Sequence, residues 1–333
     1  MPTPSLSIVI PVYRGARTVG ELVEALGETL LSDYALEVVL VDDASPDDSA
    51  AVCEALARSH PWVRFVALGR NVGEHNAVLA GLHHTSGEVV VVMDDDLQHP
   101  PEEVLTLVEA LDADHDVVYG RYQRKRHGVF RNWGSQLNGW VATVVLDKPK
   151  GLYLSSFKAM RRFVVEQLCE VRDPAPYLDG YILRITQHVR EVPVTHLARR
   201  EGRSGYTLGK LVGLFLRQVI GFSMVPLRVA SLLGLALSLV AMLAAVWFAV
   251  ERMRDPSLPT GWASVIVASS LLGGVQLFAL GTVGEYLGRL VHRLDGTPPF
   301  VVRRTVGFDT TTTGSDGLAA AKDRPASDAR AAS

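Results

Sequence analysis

Three consecutive carboxylates, Asp94, Asp95 and Asp96, stand directly after the apolar run Val89-Val90-Val91-Val92-Met93 and before Leu97-Gln98-His99-Pro100-Pro101. A short β-branched run of this kind reads as a strand buried on both faces. Like charges stacked at its end repel one another, so a cationic partner should offset them. In strand geometry Asp94 and Asp96 point one way and Asp95 the other. Such a pair suits a hard divalent cation, which takes oxygen ligands and shares a substrate's phosphates. The competing reading is an acidic solvent-facing loop or a helix N-cap; three carboxylates at one strand end favour the metal. Pro100 and Pro101 then preset φ for a helix, with Glu102 and Glu103 in its first turn.

The surrounding elements must present these groups. Strands are predicted at Leu6–Ile10, Glu37–Val41, Arg64–Leu68, Glu88–Met93 and Asp116–Tyr119, with helical patterns between them, for example Val19–Leu31 and Glu74–His84. Such alternation predicts an α/β fold of parallel strands covered by helices on both faces. Ligands of an open α/β sheet bind outside the carboxyl ends of its strands. Polar residues follow the other strands too: Pro11-Val12-Tyr13, Asp42-Asp43-Ala44-Ser45-Pro46-Asp47 and Asn71-Val72-Gly73-Glu74-His75-Asn76. A carboxylate after the second strand could accept hydrogen bonds from a base or a ribose. Asp47 and Ser49 read equally well as helix caps. Gly73 and Gly81 let a backbone approach a ligand or a neighbouring helix. His75 either reaches a ligand or is a satisfied surface group.

The chain has 333 residues, room for one large domain or two smaller ones, and its net charge of −3 argues against nucleic-acid binding. Cys53 and Cys169 have neither metal spacing nor a disulfide framework. No signal peptide precedes the first strand, so the N-terminal part is expected in the cytoplasm. Residues 207–224 carry Leu208, Leu211, Val212, Phe215, Val219 and Phe222 against Lys210, Arg217 and Gln218. That pattern fits an amphipathic helix at a membrane surface or an ordinary helix of a soluble domain. Two uncharged runs come next, Val229–Val250 and Trp262–Val283. Each would span roughly 33 Å as a helix, enough for a bilayer core of about 30 Å. The connector Glu251–Thr260 makes them a hairpin. Lys210, Arg217 and Arg228 before it, and Arg289, Arg293, Arg303 and Arg304 after it, put both outer ends on the cytoplasmic side, although Arg252 and Arg254 lie in the connector.

Four of these segments, in order and with the apolar runs behind them, carry a resemblance. They are Ser7-Ile8-Val9-Ile10-Pro11-Val12-Tyr13, Val41 to Asp47, Asn71 to Ala77, and Asp94-Asp95-Asp96-Leu97-Gln98. The chain resembles the inverting GT-A-fold glycosyltransferases of family 2, and among them the polyprenyl-phosphate glycosyltransferases, from about Leu6 to Arg304. The resemblance implies a Rossmann-like GT-A nucleotide-sugar domain over 1–206, the juxtamembrane helix 207–224, two transmembrane helices within 225–290 and a cytoplasmic tail over 291–333, disordered after about 305. It implies Mg²⁺ or Mn²⁺ at Asp94, Asp96 and Gln98, and a nucleotide site at Pro11, Tyr13, Asp42, Asp43, Gly73 and Asp95. Arg121 would face the donor phosphates. Arg131, Ser135 and Arg199 would hold the lipid phosphate, with Arg131 also counted in the catalytic set beside Asp94 and Asp96. For Arg131 and Ser135 the four-residue spacing independently suits phosphate recognition, against a reading as a basic surface loop.

The implied activity is inverting transfer from a nucleotide-sugar, a UDP-sugar, to undecaprenyl or another polyprenyl phosphate, at the cytoplasmic face of the inner membrane. A homo-oligomer, a tetramer by resemblance, is also implied. Departures qualify the match. Leu152 stands where many relatives have Asp, and Asp179 is the obvious substitute base. In the segment Arg199 to Tyr206, Gly205 replaces a Lys. The competing functions are a processive polysaccharide synthase and a membrane-tethered nucleotide-binding scaffold. The former usually shows Gln-x-x-Arg-Trp, whereas Gln187-His188-Val189-Arg190 is followed by Glu191. A chain ending near Tyr206 is expected to remain a nucleotide-binding α/β domain.

Overall fold

The computed structural model describes residues 4–122, 149, 151–174, 176–195, 197, 225–254, 261–294 and 298–308. Eight strands form one sheet: β1 Ser5–Val12, β2 Ala35–Asp42, β3 Val63–Leu68, β4 Val89–Val92, β5 Val117–Tyr122, β6 Lys158–Arg161, β7 Val189–Val194 and β8 Val302–Val306. Their order is β7-β5-β6-β4-β1-β2-β3-β8. β2 and β4 flank β1 in parallel, and β3 runs parallel to β2. The five strands expected from the sequence are all present, with some ends shifted by one to three residues. The parallel core explains their unbroken apolar runs.

Helices cover both faces. On one side lie α1 Val19–Leu30, α2 Ser49–Ser59 and α4 Glu102–Glu109, whose Leu22, Leu26, Cys53 and Val104 share a core with Ile8, Ile10 and Phe65. On the other lie α3 Glu74–Leu82, α5 Arg162–Cys169 and α6 Leu178–Ile185, whose Leu79, Val165 and Ile182 pack on Val9, Val41 and Val90. Gly81 allows close packing, but against the sheet rather than against a ligand or a neighbouring helix. A Cβ there would come within 2.4 Å of Val9 Cγ1, so α3 lies directly on the sheet. Cys53 and Cys169 are both free thiols.

Two parts of the sheet depart from simple alternation. β6 runs antiparallel to both β4 and β5, wedged between them. β8 runs antiparallel to β3 at the opposite edge. This second departure corrects the reading of 291–333 as a tail. Residues 298–308 are docked: Gly69 N–H donates to Val301 O at 2.9 Å, Arg64 donates to Gly307 O at 2.6 Å, and Phe300 and Phe308 pack on the sheet's α3 side. The sheet is therefore not completed within 1–206.

Between β7 and β8 the chain forms α7 Val225–Arg254 and α8 Trp262–Leu294, 30 and 33 residues long, which pack on each other. Large apolar side chains stay exposed along both, including Leu232, Trp247, Leu277 and Phe278. Among the described residues alone, no helix is long and apolar enough to cross a membrane. The uncharged runs 229–250 and 262–283 both include side chains outside that description. The amphipathic segment 207–224 lies outside the described residues.

Candidate active site

The site is built from the short segments that leave the carboxyl ends of the parallel strands. Arg14 after β1 (φ 61°), Ala44 after β2 (φ 50°), Gly73 after β3 (φ 88°) and Leu97 after β4 (φ 58°) all adopt left-handed backbone. For the three that are not glycine this costs about 1–2 kcal/mol each, so surrounding contacts must hold them. Those contacts are visible. Ser45 Oγ accepts the Arg14 N–H at 3.2 Å, and Ser49 Oγ accepts the Gly15 N–H at 2.9 Å. Ser45 N–H in turn donates to Asp42 Oδ1 at 3.1 Å. Ser49 also caps its own loop, donating to Asp47 Oδ1 at 2.6 Å.

Asp43 ties two loops together. Its own N–H donates to Val12 O at 3.0 Å, and its oxygens accept from Val72 N–H at 2.7 Å and Gly73 N–H at 2.9 Å. Burial pushes its carboxyl up, and those two donors partly offset the shift. Each carboxylate oxygen retains a second lone pair, so Asp42 and Asp43 can still receive a ligand. Tyr13 is half exposed, with the Arg14 guanidinium 5.5 Å from its ring centroid. Pro11 sits at the end of β1, opposite Val41 of β2.

β4 ends at Val92, yet Asp95 and Asp94 still turn to opposite sides. Asp95 turns to the α1 side, beneath the loop after β1. It accepts the Tyr13 N–H, and a Cβ on Gly15 would lie 2.0 Å from its Oδ2. Burial, then Asp94 and Asp96, push its carboxyl up to about 7. Asp95 thus supports the nucleotide-end loop from behind. Asp94 turns the other way: its Oδ2 accepts from Ser156 Oγ at 2.7 Å. Asp96 Oδ1 accepts the Gln98 N–H at 3.2 Å, and the Gln98 amide NH₂ donates to Leu197 O at 3.1 Å, which leaves the amide oxygen as a donor atom for a cation.

Among the described residues no three of His, Cys, Asp and Glu group closely enough to hold a metal by themselves. Two carboxylates and an amide oxygen nevertheless fit Mg²⁺ or Mn²⁺. Such ions are commonly held by one or two carboxylates together with substrate phosphates rather than by a protein cage.

Of the neighbours of this group, Tyr122 carries no signal in the sequence, whereas His75 does. Beneath Asp94, His99 stacks on Phe157 with centroids 4.6 Å apart and its Nε2 lies 2.9 Å from Tyr122 Oη. Loss of hydration raises the Tyr122 phenol above its ordinary range. The Glu74 side chain keeps an exposed face, but partial loss of hydration and then the Asp94 charge push its carboxyl up to about 7. His75 lies between Glu74 and the interior, edge-on to Tyr177 at 5.3 Å, and lost hydration holds its imidazole below the usual value. It is neither a surface group nor in hydrogen-bond contact with Asp94.

Arg121 is exposed and donates to Glu191 Oε1 at 2.6 Å, while Glu191 Oε2 accepts the Tyr153 N–H at 2.7 Å. The residue that breaks the processive-synthase pattern is thus the anchor of a candidate phosphate-facing arginine. Leu152 is buried in the core on the α3 side. Asp179 is no free base: it forms a buried ion pair with Lys158 and accepts from Tyr119 Oη at 3.1 Å. Arg131, Ser135 and Arg199 lie outside the described residues.

Comparison with known proteins supplies the family and the fold likeness. Residues 7–169 match the family described as Glycosyl transferase family 2. Undecaprenyl-phosphate 4-deoxy-4-formamido-L-arabinose transferase of Pseudomonas paraeruginosa is 33% identical over 313 residues, covering 92% of this chain and 91% of its own. The enzyme of the same name from Sodalis glossinidius is 33% identical over 316 residues, covering 92% and 95%. Among solved structures, glucosyl-3-phosphoglycerate synthase from Mycobacterium tuberculosis in complex with Mn²⁺, uridine-diphosphate and phosphoglyceric acid superposes with a TM-score of 0.50. It is 20% identical and covers 65% of this chain and 76% of that one, a likeness of fold. The chain is a GT-A-fold glycosyltransferase and belongs to glycosyl transferase family 2, beside the undecaprenyl-phosphate sugar transferases.

Proposed function

We propose that this enzyme transfers one sugar, with inversion, from a nucleotide-sugar to a polyprenyl phosphate at the cytoplasmic face of the inner membrane. The observation that carries the reading is the row of polar loops at the sheet's carboxyl edge: Asp42 holds Ser45, Asp43 holds Val72 and Gly73, and Asp96 holds Gln98. The relatives' names supply the acceptor, undecaprenyl phosphate. Uridine as the base rests on the family resemblance and on the UDP in the solved complex of like fold.

In this reading Pro11, Tyr13, Asp42, Asp43 and Gly73 receive the nucleoside end, and Asp95 keeps their loop in place. Arg121, shared with Glu191, faces the donor phosphates. Asp94, Asp96 and Gln98 would hold a divalent cation, Mg²⁺ or Mn²⁺, whose charge offsets that of the departing diphosphate. A phosphate monoester has a second pKa of about 6, so the acceptor is largely dianionic at neutral pH. Such a nucleophile needs positioning rather than a general base. Arg131, Ser135 and Arg199 are the groups assigned to that positioning. The apolar Leu152 and the paired Asp179 support a base-free attack, because neither is available to take a proton.

Helices α7 and α8, about 45 and 50 Å long, exceed a bilayer core of about 30 Å. Their exposed apolar side chains would be costly in water and suit lipid. Because β7 and β8 share one sheet, an even number of crossings must separate them. A two-helix hairpin meets that condition and leaves both of its outer ends on the side of the catalytic domain.

The test is product formation by the full chain from a panel of nucleotide-sugars and labelled undecaprenyl phosphate. One sugar per lipid is expected, abolished by EDTA and restored by Mg²⁺ or Mn²⁺. Asp96→Asn should stay folded and lose at least about 100-fold in rate. A polymeric product, or full activity of Asp96→Asn in chelator, would reject the assignment.

A further inference from the structure

We infer that β8, the strand that returns from the helical hairpin, forms one wall of the donor's nucleoside pocket, and that Arg303 is a nucleoside-binding residue. The inference rests on the nucleotide-sugar reading above and adds a segment to it that lies far from the motifs in sequence. At the carboxyl ends of β2 and β3 a cavity of about 360 Å³ is lined by Asp42, Ala44, Ser45, Gly69, Arg303 and Arg304 together with three apolar residues, and it joins the assigned nucleoside end at Asp42. That volume lies at the small end for ligand pockets and has room for a nucleoside rather than a whole nucleotide-sugar.

The two arginines differ. Arg304 is committed: it pairs with Glu54 of α2 at 2.6 Å, and its guanidinium lies 5.7 Å from the Phe65 ring centroid. Arg303 is exposed and has no ion pair among the described residues. Its position in the ladder is irregular. Ala67 pairs with Arg304 and Leu68 with Val302, so Arg303 is the extra residue of a bulge. Bulges beside active sites re-aim a side chain, and here the bulged side chain lines the cavity. The segment is fixed just before it by the Gly69 N–H to Val301 O bond of 2.9 Å.

The lining chemistry has two complementary sides. Asp42 offers carboxylate oxygen, with one lone pair used by the Ser45 N–H. Arg303 offers only donors. A nucleoside presents both partners, N–H or ribose O–H toward the carboxylate and a base carbonyl or ribose oxygen toward the guanidinium. Small walls at Ala44 and Gly69 leave width for the planar base.

The experiment measures UMP and UDP affinity, with GMP and GDP alongside, for the full chain in nanodiscs. Arg303→Ala should weaken the cognate nucleoside mono- and diphosphate equally, by about tenfold. Arg303→Lys should recover part of that loss. In turnover the donor KM should rise by the same factor, with kcat and acceptor KM unchanged. In the unsubstituted protein the cognate diphosphate should slow amide hydrogen exchange over residues 301–306, a readout that needs no variant to fold. Unchanged affinity of Arg303→Ala, or no protection of 301–306, would overturn the inference and leave the transfer reading standing. Loss with the diphosphate but not the monophosphate would place the guanidinium on phosphate and overturn the nucleoside assignment. Failure of the unsubstituted protein to bind any of the four nucleotides would overturn both readings.

Discussion

Lys158 and Asp179 meet in the interior on the α3 side of the sheet, with Tyr119 donating to the same Asp179 oxygen that Lys158 engages. Both side chains are almost fully buried. A buried pair keeps little net stability over an apolar substitute, but removing one partner strands the other charge. We therefore expect Asp179→Asn to lose about 3–5 kcal/mol in denaturant unfolding. The added change Lys158→Met should recover much of that loss by removing the orphaned ammonium. Loss of activity in Asp179→Asn would therefore report lost structure as well as any lost base, so it does not by itself test general-base catalysis. Full stability of the single variant would show that the pair is not held as described. The contrast with Asp94 explains what can be read from the chain alone. The opposed directions of Asp94 and Asp95 follow from strand alternation and need no structure. Ser156 lies 62 residues from its partner Asp94, Lys158 lies 21 from Asp179, and Glu191 lies 70 from Arg121. No local pattern announces such pairings.

At the scale of elements, the parallel strands are legible because burial on both faces forces continuous apolar runs. β6 is not, since it is four residues long and carries the buried Lys158. β8, Val-Arg-Arg-Thr-Val, reads in the sequence as positive charge flanking a membrane span, because its two arginines mask an edge strand. The packing of Phe308, just after β8, on His84, just after α3, has a pH consequence. His84 Nδ1 lies 2.7 Å from Ala80 O, and its ring meets Phe308 edge-on at 5.3 Å. Lost hydration holds the imidazole below its ordinary value, with the Ala80 carbonyl and the more distant Glu37 pulling the other way. The unfolded chain then binds a proton at higher pH than the folded one does. This contribution to stability is complete above about pH 6.5 and is lost as pH falls through the lower folded value. We expect melting temperatures measured from pH 7 to pH 5 to fall less steeply for His84→Gln than for the unsubstituted chain. An identical slope would remove His84 from the account.

Across the whole molecule, the catalytic sheet and the helical hairpin are not successive modules. The chain leaves the sheet after β7, runs through α7 and α8, and comes back to pair β8 with β3. On the proposed reading, a hairpin inserted between two strands of one sheet would be tied to the domain more firmly than a single terminal anchor. It also means that the expectation for a chain ending near Tyr206 must change, because that chain lacks an edge strand. The relevant comparison is between chains ending at 297 and at 308. The shorter loses Phe300, Val302, Val306 and Phe308, all partly buried against the two cores. Full burial of such side chains contributes about 1.5–3 kcal/mol each, so half-burial of four gives about 3–6 kcal/mol, an upper figure because the unfolded chain is itself compact. The shorter chain also loses the ladder bonds of β8 and exposes the edge of β3 to pairing with other copies. We expect the chain ending at 308 to match the full-length protein in thermal unfolding and UDP affinity. The chain ending at 297 should melt well below it, bind UDP more weakly and aggregate on heating. Equal stability of the two truncated chains would mean that β8 rests on the sheet without supporting it, and the domain could then be treated as complete before the hairpin.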